Sequence, residues 1–125
     1  MDERGGSLLA WQWANYPAAH RDRRNLLVHA LTAPMFQLGT VAVLVSPFVN
    51  GWLAPAGLAA MLGAMALQAR THRLEHTAPM PFRGPGDVVG RLLAEQWFTF
   101  PRFVATGGFA RAWRESAPRT GTSSA

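Results

Sequence analysis

Between Asn25 and Ala69 the chain contains no Asp, Glu, Lys or Arg, and arginines fence the stretch at Arg21, Arg23 and Arg24 before it and at Arg70 and Arg73 after it. The run is about twice the ~20 apolar residues that carry a helix across a bilayer core. It divides at Ser46-Pro47-Phe48-Val49-Asn50-Gly51, where proline, asparagine and glycine mark a turn. The pattern predicts an all-α chain built on an integral membrane helical hairpin, with spans at about 25–46 and 52–70. Both arginine-rich ends then lie on one side, cytoplasmic by the charge rule, while the turn from Pro47 to Pro55 has no arginine and faces away.

At 125 residues a single domain is expected, 1–125. The formal charge of +5 comes from arginine alone, since lysine is absent. These arginines form no basic run and accompany no nucleic-acid motif, so the expected partner is the lipid bilayer and not DNA or RNA. The lack of cysteine removes disulfides, thiolate ligands and cysteine nucleophiles. Asp2 and Glu3 at the start, with no short apolar core behind them, do not read as a signal peptide.

Residues 1–6 and 116–125 read as disordered tails. Trp11, Trp13 and Tyr16 make an aromatic patch suited to the headgroup level. Asp22 is the expected N-cap of the first span, and Pro34 lies inside it. Gly57, Ala60, Gly63 and Ala64 give the second span a small-residue face that could pack within the hairpin or between protomers, leaving a homo-oligomer open. Beyond a proline-broken connection from Thr77 to Phe82, one or two short C-terminal interfacial helices are expected, at about 87–98 and 101–114. Asp87 would cap the first, and Pro101 would separate them.

The four histidines collect at the open end of this hairpin. With the turn centred between Asn50 and Gly51, His29 and His72 stand at equal offsets from it. Two antiparallel helices that rise by ~1.5 Å per residue then bring them level. His76 follows one turn beyond His72, Glu75 falls between, and His20 sits where the entry turn could fold over the top. Imidazoles converging with a carboxylate suit Fe(II), Zn(II) or Mn(II), and two histidines with one carboxylate are typical of non-haem iron that activates dioxygen. His20, His29, His72 and His76 are therefore the candidate metal ligands, with Asn25, Gln68 and Tyr16 as hydrogen-bonding support for ring tautomers. The plain alternative is that each histidine bonds to headgroups or backbone carbonyls. His29 resists that reading most, since an ionisable side chain inside a span is costly.

Taken together, Tyr16-x3-His20-x4-Asn25-x3-His29-x4-Pro34 and Gln68-x3-His72-x2-Glu75-x3-Pro79 resemble the motifs of the membrane-bound 2-hydroxy fatty acid dioxygenases. These are the yeast-type proteins that shorten 2-hydroxy fatty acids derived from phytosphingosine. The resemblance covers about half of the chain, from Tyr16 to Pro79. It implies an Fe(II)-dependent oxygenase, in bacteria an inner-membrane protein, acting on a fatty-acid-like substrate and dioxygen. It further implies catalytic roles for His20, His29, His72 and Glu75, with Asn25 and Gln68 in support. His76 falls outside the motif. Thr32 and Thr71 replace motif glycines, which would narrow a helix contact or the substrate entrance, and the family's second hydrophobic hairpin is reduced to the Val88–Trp113 region. Arg70 or Arg73 would hold a substrate carboxylate, or serve topology alone. Two other classes fit the residues less fully: a non-catalytic membrane adaptor, and a haem carrier ligated by His29 and His72.

Overall fold

The computed structural model describes residues 6–116, and all of its secondary structure is helical. The tails read as disordered fall outside the described residues except for Gly6 and Ser116. Helix α1 spans Leu8–Asn15, and a 3-10 turn at Pro17–Ala19 leads into the long α2, Arg23–Val45. α3 covers Leu53–His72, α4 Pro85–Ala94, α5 Phe100–Ala105 and α6 Gly108–Glu115. Asp22 caps α2 as expected, accepting the amide of Arg24 at 2.8 Å.

α2 and α3 form an antiparallel pair about the turn at Ser46–Gly51, where the Asn50 side chain accepts the amide of Trp52. The small-residue face of α3 is used within this pair. A Cβ on Gly57 would run into the carbonyl oxygen of Gly39, and one on Gly39 would lie 2.6 Å from the carbonyl oxygen of Gly57. Backbone therefore meets backbone at this crossing, which only glycine permits. By length and composition α2 is the one described helix apolar enough to cross a membrane.

The C-terminal helices depart from expectation. α4 begins at Pro85, not at Asp87, whose carboxylate instead accepts the amide of Arg83 from within the first turn. Pro101 does not separate two helices. α4 continues through a π-helical turn at Glu95–Thr99 into α5, and the break comes at Thr106-Gly107, where Gly107 adopts φ 84°. The widened turn is the physical answer to the proline, which lacks an N–H and crowds the preceding turn. Within it the amide of Phe100 bonds to the carbonyl of Glu95, five residues back. The next bond in that register would need an N–H from Pro101. The Gln96 carbonyl receives the side-chain amide of Gln37 from α2 instead, at 2.7 Å.

α6 closes the end of the bundle. Arg23 donates two hydrogen bonds to the Trp113 carbonyl and lies over the Trp113 ring at 4.5 Å. Tyr16, Leu26, Ala33, Phe100 and Phe103 form the buried apolar core beneath it.

Candidate metal centre

The end of α2, the end of α3 and the 3-10 turn bring His29, His72 and His20 into one group. Ring centroids lie 4.8 Å apart for His20–His29, 4.8 Å for His20–His72 and 4.9 Å for His29–His72, with interplanar angles of 90°, 83° and 85°. The equal-offset argument thus holds for His29 and His72, and His20 does fold over the top. The fourth member is Glu95, from the π-helical turn. One ligand atom from each of the four lies within 4.8 Å of every other, so the group could hold a metal ion.

Hydrogen bonding fixes which nitrogens face inward. His20 Nδ1 donates to the Tyr16 carbonyl at 2.7 Å, and His29 Nδ1 to the Asn25 carbonyl at 2.9 Å. Each bond reaches back one helical turn to a backbone acceptor, which places the lone pair on Nε2. His20 Nε2, His29 Nε2 and His72 Nδ1 are buried and have no hydrogen-bond partner. His29 Nε2 lies 3.4 Å from Glu95 Oε1, near but not aligned for a hydrogen bond. Buried polar atoms are nearly always paired, so three converging orphans beside a carboxylate are what a cation site requires. Tyr16 stacks on His20 at 3.7 Å, while Phe100 and Phe103 screen the group from solvent.

The supporting residues act differently from expectation. Tyr16 orients His20 through its carbonyl and ring face, and its hydroxyl is buried without a partner. Asn25 orients His29 through its carbonyl, while its side chain donates to Glu75 at 2.8 Å. Gln68 makes no hydrogen bond to a histidine. It exchanges hydrogen bonds with Gln96 at 2.8 and 3.0 Å, and Gln96 in turn donates to Glu95 at 3.1 Å. Thr32 and Thr71 serve the same networks, Thr32 accepting from Gln68 and Thr71 donating to Asn25.

Glu75 is not in the group. Its carboxylate accepts the amides of Arg21 and Asp22 at 2.8–3.0 Å, tying the loop after His20 to the end of α3. A carboxylate so engaged positions the loop and has little capacity left for a cation. His76 is exposed and also lies outside the group. Arg70 and Arg73 are exposed and line neither of the cavities beside the centre, whereas the buried Arg91 lines both. Glu95 and Arg91 were missed because their helix reads as a polar surface element. The available signal was Val88-x3-Leu92-x2-Glu95-x3-Thr99-x3-Phe103, a carboxylate set into a helical stripe that is apolar except for Thr99.

Glu75→Ala should give up the bonds to the two backbone amides, which are exposed or part-buried and pass to water, at a cost of about 0.5–1.5 kcal/mol in urea unfolding. Metal affinity should drop by about 10–100-fold, as when an orienting partner is lost. Saturating metal should still fill the site. Loss of stoichiometry even at saturation would show that Glu75 is a ligand.

Burial keeps His20 neutral beside a Glu95 carboxyl held below its ordinary value. Burial lowers the His20 imidazole to about 3, with Glu95 pulling the other way and His29 and His72 adding to the lowering. For Glu95, burial pushes the carboxyl up, but His29, His20 and His72 together hold it below the ordinary carboxylate value. Burial, helped by Glu95, raises the Tyr16 hydroxyl, which stays protonated.

These shifts set the acid response of the metal-free protein. An unfolded histidine takes a proton at 6.5, the buried His20 only near 3, so between these values the unfolded state holds more protons. Stability is therefore fully present above 6.5 and falls as pH drops towards 3; depressed Glu95 adds a loss of the same sign below 4.5. The thermal midpoint of the metal-free protein should fall on going from about pH 7 to about pH 5. A midpoint that is flat or rises over that interval would contradict the burial of His20.

No family model, no curated protein and no solved structure matches this chain.

Proposed function

We propose that this protein is an integral membrane, Fe(II)-dependent dioxygenase that acts on a 2-hydroxy fatty acid or a related lipid. One observation carries the reading: three buried imidazole nitrogens without partners converge with Glu95. Neutral nitrogen donors and one carboxylate, with coordination positions left over, form the donor set of non-haem iron sites. When bound, the metal supplies the redox and Lewis-acid chemistry that dioxygen requires.

This chain's own residues have narrower tasks. Tyr16 and Asn25 hold the tautomers of His20 and His29. Gln96 and Gln68 steady Glu95, and Phe100 and Phe103 keep bulk water from the imidazoles. A 2-hydroxy acid and dioxygen yield the acid one carbon shorter, carbon dioxide and water. That stoichiometry balances without an external reductant, so no reductant site is needed.

The membrane assignment draws support from α2 and from apolar side chains that point away from the bundle. Leu31, Leu38 and Leu44 on α2 are 67%, 72% and 67% exposed, and Leu58 and Leu62 on α3 are exposed as well. Such a continuous apolar surface is costly in water and ordinary in lipid. A haem between His29 and His72 fits poorly, because the ring centroids stand only 4.9 Å apart with His20 against both, which leaves no gap for a porphyrin.

The test is oxygen uptake by anaerobically purified, Fe(II)-reconstituted protein on 2-hydroxyhexadecanoate. Uptake that depends on iron and yields the acid one carbon shorter supports the proposal. Stoichiometric metal with no uptake on any 2-hydroxy acid would overturn the oxygenase reading.

A further inference from the structure

The smaller of the two cavities beside the centre, about 140 Å³, lies between the 77–80 connection and the 3-10 turn. Tyr16, His20, His72 and Glu95 all line it. The larger, about 290 Å³ and between α3 and α4, also reaches His72 and Glu95 but neither Tyr16 nor His20. His72 and Glu95 are the partly exposed members of the group, whereas His20 and His29 are buried, so the centre is open on the side of these cavities. About 10–15 Å³ of cavity space admits one water, so the smaller cavity has room for a ligand of a few atoms.

Tyr16 is only 3% exposed, and among the described residues its hydroxyl is the one buried hydroxyl without a hydrogen-bond partner. Two neighbours pin the ring. It stacks on His20 with centroids 3.7 Å apart and planes at 14°, and Phe103 meets it edge-on at 5.1 Å. The side-chain amides that share the cavity are already spent: Gln12 donates to the Arg91 carbonyl and accepts from Thr99, and Asn15 donates to the Trp11 carbonyl. A phenol keeps its proton at neutral pH and offers one O–H, and leaving that donor unsatisfied costs the fold stability. A hydroxyl held at such a cost, on a cavity that ends at a cation site, is placed to bind what enters that cavity.

We propose that the smaller cavity holds a small hydrogen-bond-accepting ligand of the centre, of the size of azide or dioxygen, and that the Tyr16 hydroxyl donates to it. This deepens the reading of the group as a metal centre with open positions, and rests on it. Tyr16 then has two separate parts to play: its carbonyl and ring face hold His20, and its hydroxyl binds the ligand.

The experiment loads full-length protein with Co(II), whose visible spectrum reports coordination, and titrates it with azide. Tyr16→Phe keeps the ring and the backbone carbonyl that orient His20. Azide should bind this variant about 10–100-fold more weakly, the worth of one hydrogen bond to a charged acceptor, with Co(II) stoichiometry unchanged. The thermal midpoint of the metal-free variant should rise, because an unsatisfied hydroxyl has gone. Ala69→Phe alters an exposed residue that lines the larger cavity alone, and should leave azide affinity as it is. Undiminished azide affinity in Tyr16→Phe would give the hydroxyl to ordered water and overturn the proposal. So would loss of Co(II) or a lowered midpoint in that variant, or an equal loss of azide affinity in Ala69→Phe. Azide binding needs no turnover, which separates the outcome from that of the oxygenase test. The expected loss in Tyr16→Phe without oxygen uptake on any 2-hydroxy acid keeps the ligand pocket and removes the oxygenase; uptake with undiminished azide affinity does the reverse.

Discussion

His29→Ala is expected to abolish metal binding while the helical bundle persists, and His76→Ala to change neither. His29 is fully buried, its Nδ1 is committed to the Asn25 carbonyl, and its Nε2 faces the shared space with no other partner. Removing it takes away one of three nitrogen donors and lets water into the void. The loss of affinity should be on the order of 1000-fold, or about 4 kcal/mol. Metal content after purification should thus fall from near one per chain to a small fraction. The fold should tolerate the change, because the substitution also removes a buried ring nitrogen that makes no hydrogen bond. His76 is exposed and outside the group, so its removal serves as the control. Retention of metal by His29→Ala, or its loss from His76→Ala, would move the site elsewhere.

Glu95→Gln is the second large effect. The amide keeps the shape of the side chain but removes the only carboxylate in the group, and with it the charge that balances a cation. Affinity for a divalent ion should fall by on the order of 100-fold, or about 3 kcal/mol, measured by competition with a chelator. Glu75→Gln should fall much less, since Glu75 meets backbone amides and Asn25 and not the imidazoles. The ordering of these two variants separates the carboxylate next to the histidine in sequence from the one beside it in space. Equal losses, or a larger loss for Glu75→Gln, would reverse the assignment.

Much of the frame was legible because it follows from elementary periodicities. An uncharged run with one turn predicts two helices, and equal offsets from that turn place His29 and His72 level whatever the side-chain detail. His20 was legible from its place at the entry turn. The carboxylate was not. Glu75 stands one turn from His72, so proximity along the helix pointed to it, but two free amides at Arg21 and Asp22 capture it first. Glu95 reaches the group through a π-helical turn, and that turn depends on Pro101 meeting a compensating Gln37 on a distant helix. Such a non-local adjustment leaves no periodic trace. Thr32 and Thr71 were likewise opaque, because their value lies in accepting from Gln68 and donating to Asn25 across the helix pair.

The central claim is that His20, His29 and His72 bind one cation together with Glu95. X-ray absorption at the zinc edge of Zn(II)-loaded protein tests it most directly. The account predicts a shell of nitrogen and oxygen only, near the ~2.0–2.1 Å expected for imidazole ligands, with outer-shell scattering that fits three rings. A spectrum with one ring or none would mean that the orphaned nitrogens face water, and the metal centre would be wrong.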